Sequence, residues 1–306
     1  MAELSKEKFQ IIGCENINSE TMLRPSMTYW QDAWRRLKKN KVAMASLIVL
    51  ILMALMTIFG PMIAKFEFET LNKGMENLKP NSTFWFGTDN LGRDLFARVW
   101  VGGRVSIMIG LIGALVDTVV GVIYGGIAGY MGGIVDDIMM RIIEILASIP
   151  YLVIVILIRV MIDKGGILPV IIAMCLTGWT YMARLIRGQI LQIKEQEYVL
   201  AAKALGANPS RIIAKHLVPN TLGVMIVAIT FDIPGFIFGE AFLSFLGLGV
   251  QSPDTSWGAL AQMGQQKMMF YPYQLIFPAL AISITMLAFQ LLGDGLRDAL
   301  DPKLRQ

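Results

Sequence analysis

Six long apolar stretches divide the chain, at roughly Val42–Ala64, Val105–Tyr130, Ile138–Ile162, Ile167–Ile186, Thr221–Gly247 and Tyr273–Leu292. A helix needs about 20 apolar residues to cross a bilayer, so each stretch is long enough to span one. The pattern predicts an all-α membrane protein with six transmembrane helices and both termini on one side. Residues 1–41 are instead polar and end in a basic run, Arg35, Arg36, Lys38, Lys39 and Lys41. Within them Trp30, Trp34 and Leu37 fall at helical spacing. That predicts an N-terminal amphipathic segment at the membrane surface, its tryptophans at headgroup depth. It does not fit a secretory signal, because the apolar run starts late, is too long and lacks a small-residue cleavage site. The chain thus divides into this segment and a transmembrane domain over residues 42–306.

One polar island interrupts the apolar pattern, from Glu195 to Asn220. Tyr198, Ala201, Ala202 and Leu205 lie at i, i+3, i+4 and i+7, one face of a helix that Gly206 stops. Asn208 can cap a second helix with Pro209 at its first position, running to about Leu217 and ending before Pro219. Alanines on the first helix make a small-sided face. Such a face lets another protein surface approach closely; the alternative is a solvated loop helix.

Composition strengthens the membrane assignment. The chain has 306 residues, 55% hydrophobic and 16% charged, whereas soluble domains carry about 25% charged residues. A net charge of +4, scattered along the chain, gives no reason to expect nucleic acid. Lysine and arginine placement sets the orientation. Eight lie in residues 1–41, one is Arg141, six run from Arg184 to Lys215 and three from Arg297 to Arg305, which makes 18 of the 27. The excess predicts that these segments, both termini and the island are cytoplasmic. The loops around Lys73 and Ser256 then face outward.

The spans carry polar punctuation. Gly121, Gly125, Gly129 and Gly133 form a fourfold ridge for close helix packing. Asp117, Glu144, Asp232 and Glu240 are intramembrane acids, which belong in a bundle interior or a cavity. Pro150 and Pro234 interrupt the third and fifth spans, and broken helices are tolerated beside protein or a water-filled path. Asp232, Pro234, Pro150 and Glu240 are therefore candidate path-lining residues. In the outer loop, Asp94 and Arg98 stand at pairing distance along a helix. Cys14 and Cys175 are far apart and one histidine is present, so no disulfide, metal or catalytic site is expected.

The island, with its paired Ala201-Ala202, Gly206 and Pro219, resembles the coupling loop of permease subunits in ATP-driven (ABC) importers. Leu200 replaces the glutamate usual before the alanines, and His216 and Val218 replace the usual isoleucine and leucine. Glu-Tyr-Val-x-Ala-Ala with His-x-x-Pro-Asn, the string from Phe86 to Arg98, the loop from Ser244 to Gln251 and the C-terminal Gly293–Pro302 string all resemble the dipeptide/oligopeptide branch. The likeness implies a type I importer permease fold in a bacterial or archaeal inner membrane. It implies a coupling loop at about residues 188–219, with Glu197, Tyr198, Ala201, Ala202, Leu205 and Gly206 against the ATPase. It also implies a second homologous permease subunit, two cytoplasmic ABC ATPase subunits, an extracytoplasmic peptide-binding protein and contact with membrane lipid. No cofactor is expected on this chain: it lacks a P-loop, so ATP and Mg would sit on the partner subunits. The chain is expected to be a transport subunit, not an enzyme. An ion-coupled secondary transporter using the intramembrane carboxylates is the alternative; its signature, an internal repeat with paired broken helices, is not evident.

Overall fold

The computed structural model describes residues 28–162, 166–251 and 254–301. The first part of the amphipathic segment, residues 1–27, lies outside the described residues, as do Cys14, Lys164, Pro253 and Pro302. The helices are α1 (Tyr29–Lys39), α2 (Lys41–Ile63), α3 (Leu95–Met131), α4 (Gly133–Ser148), α5 (Tyr151–Met161), α6 (Leu168–Ile193), α7 (Glu197–Ala204), α8 (Pro209–Ile212), α9 (Val218–Phe245), α10 (Trp257–Lys267) and α11 (Tyr273–Leu300).

Local chemistry sets the first boundary. Asn40 ends α1 through its N–H on the Leu37 carbonyl and starts α2 by accepting the N–H groups of Val42 and Ala43. That is a C-cap and an N-cap in one residue. In α1 the two tryptophans point outward while Ala33 and Leu37 are buried. Tyr29 ties α1 to the end of α11 by donating to the Leu300 carbonyl at 3.0 Å.

Among the described residues, five helices are long and apolar enough to cross a membrane, and α4 with α5 makes a sixth only as a pair bent by 82°. Pro150 explains the break. It has no N–H to continue α4 and disfavours helical backbone at Ile149 before it, so it becomes the residue before α5. Pro234 corrects the parallel expectation, for it lies inside an uninterrupted α9. A second proline is compensated visibly. Pro61, inside α2, leaves the Thr57 carbonyl without its helical donor. Arg104 of α3 supplies one, Nε on Thr57 O at 2.5 Å and Nη2 on Ile58 O at 2.7 Å.

The spans are longer than the apolar windows. α3 starts at Leu95, not Val105, and α11 reaches Leu300, not Leu292, because helices continue into polar surroundings where a hydropathy window stops. The loop before α3 also departs from expectation. Asp94 does not pair with Arg98; it caps α3 by accepting from the Phe96 N–H, and the Arg98 Nε stands 3.6 Å from Asp89 instead.

The glycine ridge packs α3 on α6. A Cβ at Gly121 would stand 2.6 Å from the Met182 Cβ, and one at Gly129 would stand 3.0 Å from the Arg187 carbonyl. At Gly125 it would meet the Ala183 carbonyl. Gly133 is not part of this ridge: its φ of +53° follows the turn that opens α4, and nothing stands within 4 Å. The main core gathers α3, α5, α6, α9, α10 and α11 around Trp257, Ile109, Val155, Ile237 and Leu243.

Candidate functional site: an exposed elbow and a buried acid joint

The island forms a compact elbow between α6 and α9. After α7, the Gly206 N–H bonds the Lys203 carbonyl and the Ala207 N–H bonds the Ala202 carbonyl, both at 3.0–3.1 Å. This is a Schellman ending, and it needs the left-handed backbone that Gly206 adopts at φ +80°. Asn208 then caps α8 by accepting from the Arg211 N–H at 2.8 Å, with Pro209 next. Here the structure corrects one expectation. The second helix does not stop before Pro219; a π-helical turn over Ile213–Leu217 carries it directly into α9. The wider turn bonds the Val218 N–H to the Ile213 carbonyl. It absorbs the missing N–H of Pro219, while the Asn220 amide covers the His216 carbonyl at 2.5 Å.

The elbow is anchored on one side and open on the other. Val199, Ile212 and Leu217 are buried with Met182, Ile186 and Ile190 of α6. Lys194 donates to the Gly129 carbonyl near the end of α3, and Arg187 clasps Asp136 of α4 with two bonds of 2.5 and 2.6 Å. Glu197, Tyr198, Ala201, Leu205 and Gly206 are exposed, Leu205 at 88%. Partial burial raises the Tyr198 hydroxyl above its ordinary value. Ala202, expected on the same face, is instead half-buried on the Val199 side. A helix with an exposed tyrosine and leucine beside alanines has a surface suited to burial against another protein.

The intramembrane acids separate into different roles. Glu240 is fully buried and its carboxylate accepts from Ser106 at 3.1 Å, Ser244 at 2.6 Å and Ser256 at 2.6 Å. Ser256 also caps α10, so the carboxylate sits at that helix's positive end. Ser106 in turn accepts from the Trp257 N–H, and the Trp257 indole donates to the Val99 carbonyl at 2.8 Å. Glu240 therefore fastens α3, α9 and α10 in a closed joint. Glu144 is exposed and pairs with Arg141 at 2.7 Å. Asp232 is half-buried in α9 and within electrostatic reach of Asp117, which is buried in α3 against Gly178 of α6. Pro234 is buried beside Asp232, and Pro150 is exposed at the bend. The serines of the Glu240 joint were not singled out from sequence. Only the fold brings Ser106 and Ser244 to one carboxylate.

The chain matches the family described as "Binding-protein-dependent transport system inner membrane component" over residues 121–306. It also matches the "N-terminal TM domain of oligopeptide transport permease C" over residues 28–80. It is 52% identical to the dipeptide transport system permease protein DppC of Bacillus subtilis, over 95% of this chain and 91% of that protein. It is 48% identical to the oligopeptide transport system permease protein OppC of the same organism, over the full length of both. Identity to the OppC of Escherichia coli K12 is 45%, over 99% of each. A structure of the MetNI methionine ABC transporter in inward-facing conformations shares the fold, with a TM-score of 0.54 at 20% identity over 68% of this chain and 96% of that one. Helices, elbow and likeness agree over the chain's length: it belongs to the inner-membrane components of binding-protein-dependent transport systems.

Proposed function

We propose that this chain is the transmembrane permease subunit of an ATP-driven importer of di- or oligopeptides. It forms half of the translocation path, and its partners are a second permease subunit of similar design, two cytoplasmic ABC ATPase subunits and an extracytoplasmic peptide-binding protein. The peptide cargo is supported by the dipeptide and oligopeptide permeases it resembles at 45–52% identity. ATP and its Mg would be held by the ATPases. The family likeness favours this reading over ion coupling through the intramembrane carboxylates.

The observation that carries the coupling role is the elbow: α7 is held by one buried valine and by the Schellman turn, and turns Tyr198, Ala201 and Leu205 to solvent. We assign this face to a cleft on a cytoplasmic ATPase, with Glu197 and Gly206 at its two ends. Such an elbow transmits force because α6 and α9 both lead directly out of it. Closure of the ATPases moves α7, and α6 and α9 carry the movement into the bundle by alternating access. Lysine and arginine placement supports a cytoplasmic position for this end of the bundle. A cysteine at Leu205 should cross-link to the ATPase subunit in the assembled complex; cross-linking only to lipid or to the second permease subunit would refute the assignment.

A further inference from the structure

We propose that a cavity at the end of the bundle opposite the elbow receives the terminal carboxylate of the peptide cargo, with Arg93 and Arg98 as its cations. This rests on the peptide-importer reading above. The cavity holds about 280 Å³ and opens between the start of α3, the turn after α9, and α10. Arg98 lines it and is only 2% exposed. Its bonds are long: Nη1 to the Phe68 carbonyl at 3.5 Å and Nη2 to Thr255 at 3.4 Å. Its Nε, 3.6 Å from Asp89, makes no hydrogen bond. A guanidinium has five donors, so most of this group's capacity is unused.

Asp89 cannot supply what is missing. One of its oxygens accepts the N–H groups of Leu91 and Arg93, and the other accepts the Arg93 Nε at 2.7 Å. Two buried guanidiniums thus share one carboxylate. Asp254 on the cavity wall is exposed, as is Glu69, which reaches Arg98 electrostatically; water screens both. A buried cation short of partners is unfavourable until an anion arrives, and a planar guanidinium matches a carboxylate's two oxygens. Arg159 adds positive charge nearby: it holds the cavity-lining Gly249 by its carbonyl at 3.3 Å, while its Nη1 is buried without a partner.

Size and lining favour a peptide end over a lone acid. At about 30 Å³ per water, the space is several times what a carboxylate fills. Val250 and Met263 give the rest of the wall an apolar part for a side chain. Gln262 adds a polar side chain to the lining.

The test uses the complete transporter in liposomes, with its ATPases and binding protein. Trialanine and trialanine amide are compared at concentrations that saturate the binding protein, each measured beforehand. Wild type should take up the free acid faster, by about tenfold, the worth of one charge-assisted hydrogen bond. Arg93→Gln should bring that ratio to within about twofold, and so should Gln262→Glu, which leaves the Asp89 pair intact and repels the incoming carboxylate. An unchanged ratio in Gln262→Glu overturns the proposal. Equal slowing of both peptides with the ratio preserved also overturns it, by assigning the cavity to docking of the binding protein. If wild type takes up neither peptide, the importer reading falls and this proposal with it.

Discussion

Glu240 shows how a residue's need for partners can be legible in sequence while the partners themselves are not. Sequence located an acid inside an apolar span, and solvation cost requires such a group to have partners. Which partners is a tertiary fact, since Ser106 and Ser256 are remote in sequence. Glu240→Ala should leave three hydroxyls without their acceptor and destabilise the protein by roughly 2–4 kcal/mol. The thermal midpoint of the detergent-solubilised subunit reads this directly. A midpoint equal to wild type would mean that the joint contributes nothing to stability. Gly206 carries a similar lesson. Its role as a helix stop was legible, but its φ of +80° means that Gly206→Asp would strain the backbone as well as block docking. Leu205→Asp is the cleaner probe. At 88% exposure it should change the stability of the isolated subunit by no more than about 0.5 kcal/mol.

Among the elements, the glycine ridge was legible because fourfold spacing has one physical use in lipid, close approach of backbones. Its last member was not, since Gly133 keeps the spacing but lies beyond the turn at Gly132, where α3 has ended. Gly125→Leu should push α6 away from α3 and reduce the yield of folded complex several-fold, overpacking being typically worth 1–3 kcal/mol or more. Gly188→Ala on α6, where an added Cβ meets nothing within 4 Å, is the control and should be neutral or slightly stabilising. Equal yields for the two would move the ridge off the helix contact. The prolines divide for the same reason. All remove a donor, but only Pro150 breaks its span, whereas Pro61 and Pro234 sit in helices held by long packed neighbours. Sequence marks the missing N–H; packing decides whether the helix survives it. The π-turn before Pro219 is a third solution, invisible to a pattern that stops helices at prolines.

For the whole molecule, six-span architecture was legible from composition and span length, because a bilayer imposes both. The two ends are now distinguishable. Tyr273 at the start of α11 bonds the Thr88 carbonyl, while Leu300 at its finish accepts from Tyr29 of α1. The charge bias predicts which end is outside. Ser256 cannot report it, being fully buried, so Met269, 83% exposed, replaces it. On intact cells an impermeant thiol reagent should label Lys73→Cys and Met269→Cys but not Lys203→Cys. The reverse pattern would invert the topology.

The central claim is that this bundle moves peptides with energy delivered through α7, and uptake by the reconstituted complex tests it most directly. Trialanine uptake should require ATP inside the liposomes and should not respond to a proton gradient alone. Leu205→Asp should assemble normally yet lose at least about tenfold in uptake and in peptide-stimulated hydrolysis, as expected when a charge is forced into a tight apolar contact. Uptake driven by a proton gradient without ATP, or full-rate transport by an assembled Leu205→Asp complex, would contradict the account.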